Sequence, residues 1–194
     1  MNIFSKGGFL TFTFLYATTI LSAGTPQQDL KKAVSEVLQI LDSKKDKKNK
    51  RAAISEIYEA NFDFEKLGSN TLKSDYKKLT DDQKKSFNEK FARFVLEFYL
   101  DKIDKYNRNK IEFEGEEIKG QRATVFTLLE YQGKMAKVNY SMNSKNGKWL
   151  VFDFEVEGVR LSSTYRSQFA KVLKEKGFDG LMLELNRLLG KYKK

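Results

Sequence analysis

Near Asn109 the spacing of apolar residues changes, and this change constrains the fold more than any other feature of the chain. Before it, apolar residues recur at three- and four-residue steps, the period of a helix with one covered face. After it they recur every second residue, the period of a half-buried strand. From Asp29 to Leu41 the residues Leu30, Val34, Val37, Leu38 and Leu41 fall on a single stripe. A charged stretch, Lys44 to Arg51, follows, and Ile54, Ile57 and Tyr58 mark a second short helix. Phe62 to Leu72 reads as a further helical turn or two. Thr80 and Gln83 have the form of a capping box, and behind them Phe87, Phe91, Phe94, Val95 and Phe98 carry a helix as far as Ile103.

On the other side of the switch, Ile111 to Glu117 alternates, with Ile111 and Phe113 opposed to Glu112 and Glu114. Arg122 to Tyr131 is rich in the Thr, Val, Phe and Leu that strands favour. Gln132-Gly133 reads as a tight turn into Met135 to Met142. Asn146-Gly147 is the strongest hairpin signal, because a two-residue turn of this type needs positive φ at both positions. It leads into Trp149 to Val156, with Leu150, Phe152, Phe154 and Val156 on one face. Short loops between four strands imply an antiparallel meander. Two helices end the chain, one from about Thr164 to Lys176 that stops at Gly177 and one after Asp179 carrying Leu181, Leu185, Leu188 and Leu189. The predicted class is α+β, with helices packed on one face of a curved four-stranded antiparallel sheet.

Residues 1–24 read as a secretory signal peptide: Lys6, then an uncharged apolar run from Phe9 to Leu21, then the small residues Ser22, Ala23 and Gly24. The run is shorter than the roughly 20 residues of a membrane-spanning helix and is broken by four threonines, which disfavours the other reading of the segment, an uncleaved N-terminal anchor. The expected organisation is therefore a leader over residues 1–24, cleaved after Ala23 or Gly24, and one domain over residues 25–194. The chain carries a net charge of +10, and removing the leader with its single lysine leaves +9. Export of a cysteine-free chain points to a bacterial periplasm.

Absence of cysteine and histidine removes thiol nucleophiles, zinc ribbons, serine triads of the usual kind and imidazole catalysis. No metal-ligand spacing or glycine-rich phosphate loop occurs, so no cofactor and no metal is expected. Glu112, Glu114 and Glu116 share one parity and read as a solvated strand face, with Glu117 beside them. Asp153 interrupts the last apolar strand and is a structural carboxylate in preference to a catalytic one. The basic run Lys44 to Arg51 and the tail Lys191 to Lys194 read chiefly as solvated surface, with anionic headgroups or an acidic partner as the other possibility. Nucleic acid is not an expected partner, because export argues against it and no recognition motif is present. The phenylalanine stripe at 87, 91, 94 and 98 is core by default, and lining a ligand cavity is its alternative reading.

Five blocks stand in order along the chain: FDFEKL from Phe62, LTDDQKKSFNEKFARFVLEFYLDKIDKY from Leu79, WLVFDFEVEGVRL from Trp149, YRSQFAKVL from Tyr165 and GFDGLMLEL from Gly177. Together they resemble the MlaC-type periplasmic phospholipid-binding proteins, also described as the toluene-tolerance (Ttg2-type) family. Arg160 stands where the family usually has serine, and LKSDY from Leu72 replaces a commoner Leu-Gly-x-x-Trp. The resemblance implies an NTF2-like cone enclosing an apolar cavity. It implies a non-enzymatic, monomeric carrier of diacyl phospholipid that maintains outer-membrane lipid asymmetry. Its implied partners are an outer-membrane lipoprotein complex and an inner-membrane MCE/ABC transporter complex.

Burying hydrocarbon yields about 0.8 kcal/mol per CH₂, so a tail needs apolar shelter comparable to a membrane's. The most uniformly apolar positions supply the expected tail pocket: Phe91, Val95, Phe98, Val125, Val138, Tyr140, Phe152 and Phe154. Tyr165 and Arg166 are expected at its rim. The alternatives are an exported carrier of another hydrophobic ligand such as a hopanoid, a periplasmic adaptor without lipid cargo, and an NTF2-like enzyme using Asp153.

Overall fold

The computed structural model describes residues 24–103, 106–131 and 133–192. The leader assigned to residues 1–24 lies outside them except for Gly24, as does Gln132 of the expected tight turn. Helices α1 (Pro26–Asp42), α2 (Lys47–Asn61), α3 (Phe64–Leu72) and α4 (Asp81–Ile103) precede strands β1 (Tyr106–Lys119), β2 (Arg122–Tyr131), β3 (Lys134–Lys145), β4 (Lys148–Val156) and β5 (Val159–Arg160). Helix α5 (Leu161–Gly190) closes the chain. The strands pair antiparallel in the order β1-β2-β3-β4-β5, which is the expected meander with one strand more. That extra strand is only two residues long and follows a turn in which Glu157 and Gly158 both take positive φ. No helix of the described residues is long and apolar enough to cross a membrane.

Local chemistry explains where the helices start and stop. Thr25 and Gln28 form a capping box at α1 with Pro26 just inside, and Thr80 and Gln83 form the expected one at α4. Half of the basic run becomes the first turn of α2. Cations there oppose the helix dipole, and the Asp46 carboxylate that accepts from Asn49 N–H offsets them. In α5 the expected stop at Gly177 is a break within one longer helix. Its φ of 65° and ψ of −167° belong to a region essentially restricted to glycine.

Besides a register shift between Tyr106 and Ile111, two bulges alter the sheet faces. In β1 Phe113 pairs with Thr127 but Gly115 pairs with Phe126, so Glu114 is an extra residue and parity flips beyond it. Glu116 therefore turns away from the solvated face and accepts from Gln27 N–H at the start of α1. In β4 Val151 pairs with Met142 and Asp153 with Ser141, leaving Phe152 as the extra residue. The expected single face of Leu150, Phe152, Phe154 and Val156 is consequently split. Val151, Phe154 and Val156 look inward, and Leu150 lies on an outer groove.

Helix α4 has apolar residues on two faces. Phe87, Phe91 and Phe94 pack against Phe169, Leu181 and Leu185 of α5, with Leu67 and Leu72 of α3, in the main core. A second cluster joins Leu30 to Val125, Met142, Trp149 and Val151, and a third joins Leu41, Ile54 and Leu100.

Candidate functional site

Between the three clusters the packing leaves a cavity of about 250 Å³. One wall is the α1 stripe, Leu30, Ala33, Val34, Val37, Leu38 and Leu41, and a second comes from Ile54, Ile57 and Tyr58 of α2. The second face of α4 contributes Val95, Leu96, Tyr99 and Leu100. The sheet supplies the floor as hydrogen-bonded ladders that run across it. Thr127 pairs with Phe113 on one side and Val138 on the other, and Val138 pairs in turn with Val156. Ile111 pairs with Leu129, and Tyr140 with Phe154. Among the described residues, no charged side chain lines the cavity. Its polar groups are largely committed: Thr127 Oγ1 donates to the Val138 carbonyl at 2.8 Å, and Asn61 Nδ2 to the Ile57 carbonyl at 2.7 Å.

The chain is anchored around this space at the ends of its elements. Asp29 in the first turn of α1 accepts from Trp149 N–H at 2.9 Å, and Gln27 N–H reaches Glu116 at 2.6 Å. Lys50 of α2 donates to the Leu41 carbonyl at 2.6 Å, and Arg51 pairs with Glu97 of α4. Lys31 stands over the Phe113 ring, 5.9 Å from its centroid.

Of the ten residues expected at the site, the structure brings Val95, Val138, Tyr140 and Phe154 together in the cavity wall. Val125 is on the same sheet face but fully buried beneath Leu30 and Trp149. Phe152 occupies the β4 bulge, outside the wall. Phe91 and Phe98 lie on the α5 side of α4. The Phe91 ring meets Phe169 at 5.4 Å, and the Phe98 ring meets Tyr192 at 5.8 Å. Neither expected rim residue lines the cavity. Tyr165 packs edge-on to Phe94 at 5.2 Å, and burial pushes its hydroxyl up to about 12, with Tyr192 adding to the effect. Arg166 donates to the Asn70 carbonyl at 3.0 Å and so ties α5 to α3.

The wall residues not singled out beforehand come mainly from α1 and α2. Their signal was present, since the α1 stripe is the longest run at helical spacing before α4 and Val34, Val37 and Leu38 stay only half-buried. An amphipathic face that is incompletely covered after folding is a sign of a cavity beneath it.

Asp153 is 1% exposed and its oxygens are engaged structurally. Oδ2 accepts from the Ser162 hydroxyl at 2.6 Å, and Oδ1 accepts from the Phe154 and Ser162 N–H groups at 3.0 and 3.2 Å. Arg160 Nη1 stands 3.8 Å away. The carboxylate thus fastens the start of α5 to β4, and it does not line the cavity.

Comparison with known proteins agrees with this architecture. The family model described as MlaC protein matches residues 31–187. Toluene tolerance protein ttg2D of Pseudomonas putida is 26% identical over 182 residues, covering 90% of this chain and 85% of that one. The intermembrane phospholipid transport system binding protein MlaC of Haemophilus influenzae is 20% identical over 190 residues, covering 92% and 89%. A phospholipid-binding protein from Ralstonia solanacearum, solved in complex with a phospholipid, shares the fold. It superposes with a TM-score of 0.74 at 19% identity, covering 88% of this chain and 100% of that one.

Proposed function

The chain belongs to the MlaC family, and from that premise we propose that it is a periplasmic carrier of diacyl phospholipid. In this reading residues 1–24 direct export, and the domain from residue 25 works as a monomer. It moves lipid between an outer-membrane lipoprotein complex and an inner-membrane MCE/ABC transporter complex, and so maintains outer-membrane lipid asymmetry. The observation that carries the proposal is the uncharged cavity of about 250 Å³ between α1, α2, α4 and the inner sheet face. Such a space suits hydrocarbon, because every methylene moved into it from water contributes about 0.8 kcal/mol. Among the described residues its lining holds no charged side chain that a tail would have to desolvate. The engagement of Asp153 at the start of α5 supports a non-catalytic role for that residue. The relatives named for phospholipid transport and phospholipid binding support the choice of cargo.

Native mass spectrometry of the protein isolated from the periplasm tests the proposal. Mass additions that fragment to diacyl phospholipids are the expected result. A consistently empty protein, or one loaded with a different hydrophobic ligand, would refute phospholipid as the cargo.

A further inference from the structure

Tyr58 is the exception to the committed polar groups of the cavity. Among the described residues that line it, the Tyr58 hydroxyl is the buried side-chain oxygen for which the structure shows no hydrogen-bond partner. Its ring is held by Phe62 at 4.2 Å and Phe64 at 5.0 Å, so its orientation is fixed by packing. Burial, and secondarily the neighbouring Tyr99, hold the hydroxyl far above the ordinary tyrosine range, so it keeps its proton and is a donor. An unpaired buried hydroxyl is costly, and native interiors seldom leave one without a reason. Its position suggests the reason. Tyr58 borders both the apolar cavity and an outer groove between α2 and α4 that holds Arg51, Arg93 and Glu97. It therefore stands where apolar surroundings give way to polar ones, the same transition that a phospholipid makes from its tails to its ester linkages.

Resting on the carrier reading above, we propose that the Tyr58 hydroxyl donates a hydrogen bond to an acyl ester carbonyl of the bound lipid and so reads the linkage between tail and glycerol. A free fatty acid also offers a carbonyl oxygen, but its charge would enter an apolar wall unpaired at high cost, so the ester is the matching chemistry. Apolar walls discriminate weakly between ligands of equal length, whereas a single buried donor rejects an analogue that lacks the acceptor.

The test is a two-by-two comparison by titration calorimetry. Wild type and Tyr58→Phe each meet a short-chain diester phospholipid and its diether counterpart of equal chain length, which lacks the carbonyls. Wild type is expected to prefer the ester by about three- to tenfold, the worth of one net hydrogen bond, and Tyr58→Phe to bind both alike. The empty Tyr58→Phe protein should melt at the wild-type temperature or above, since it loses an orphaned hydroxyl and no contact. Equal preference in the two proteins would overturn the assignment. So would a lower melting temperature, which would mean that the hydroxyl has a partner within the protein. If wild type binds neither lipid, the carrier reading itself fails, and that outcome is distinct from the other two.

Discussion

Ala33→Leu offers a direct test of whether the space under α1 is void and used by the ligand. Ala33 is buried in the α1 stripe and lines the cavity. Leucine is nearly as good a helix former as alanine, so the backbone has little reason to change. Three added carbon atoms, each taking about the 30 Å³ share of one water, occupy about 90 Å³, a sizeable part of the 250 Å³ available. Filling that volume in the empty protein is worth about 24 cal/mol per Å³, or about 2 kcal/mol. For a chain of this size the melting temperature should rise by about 4–8 °C. Lipid loses room for about three methylenes, at about 0.8 kcal/mol each, and affinity should fall roughly fiftyfold. Thermal denaturation of delipidated protein and titration with a diester lipid measure the two effects, which have opposite signs. A drop in stability would show that the site was already filled and that leucine overpacks it. Raised stability with unchanged affinity would show that the tail does not use this part of the cavity.

Two other predictions follow from how the elements are tied. Asp153→Ala leaves the Ser162 hydroxyl and two N–H groups without their acceptor, which should cost about 1–3 kcal/mol for each donor that stays buried and unpaired, read as a lower midpoint in urea denaturation; an unchanged midpoint would contradict its role in holding α5. Lipid loading should slow amide exchange in the later turns of α1 and in α2 while α4 and α5 change little, and uniform slowing across all helices would contradict a tail lodged against α1 and α2.

Much of this architecture was legible because it follows from local periodicity and turn chemistry. The α1 stripe, the Thr80 capping box, the Asn146-Gly147 hairpin and the break at Gly177 each depend on a few adjacent residues. Alternation within the strands was legible as far as the bulges, although it did not fix which sheet face turns inward. One extra residue moves every later side chain to the opposite face. In β1 the only local mark of it is Gly115, at a φ of 135°. In β4 the run WLVFDFEV is apolar on both parities around the bulge, so alternation carried no information there. Helix α4 posed a related difficulty. Phenylalanines at 87, 91, 94 and 98 outweigh Leu96, Tyr99 and Leu100 in bulk, although the smaller set borders the cavity. Which face of a doubly apolar helix meets a cavity depends on what packs against the other, and that is α5, eighty residues or so further along the chain.

The two faces of α4 also explain how a stable fold can keep a hollow beside its core. On one face the fully buried Phe87, Phe91, Phe169, Leu181 and Leu185 knit α4 to α5, with Leu67 of α3 against them. Among the described residues of α1 and α2, Tyr58 is the one that packs against this cluster. Collapse of the cavity would require α4 to leave that packing, and close-packed aromatics resist such a shift. Helices α1 and α2 form the roof and are held differently. The hydrogen bonds that tie α1 to the sheet, from Gln27 and to Asp29, lie in its first turns, and its later apolar residues face the cavity. At their far ends the roof helices are fastened to α4, through the buried cluster of Leu41, Ile54 and Leu100 and through the Arg51–Glu97 pair. The half-buried Val34, Val37 and Leu38 lie between the two sets of attachments, and they are the residues that would gain hydrocarbon contacts from a bound tail.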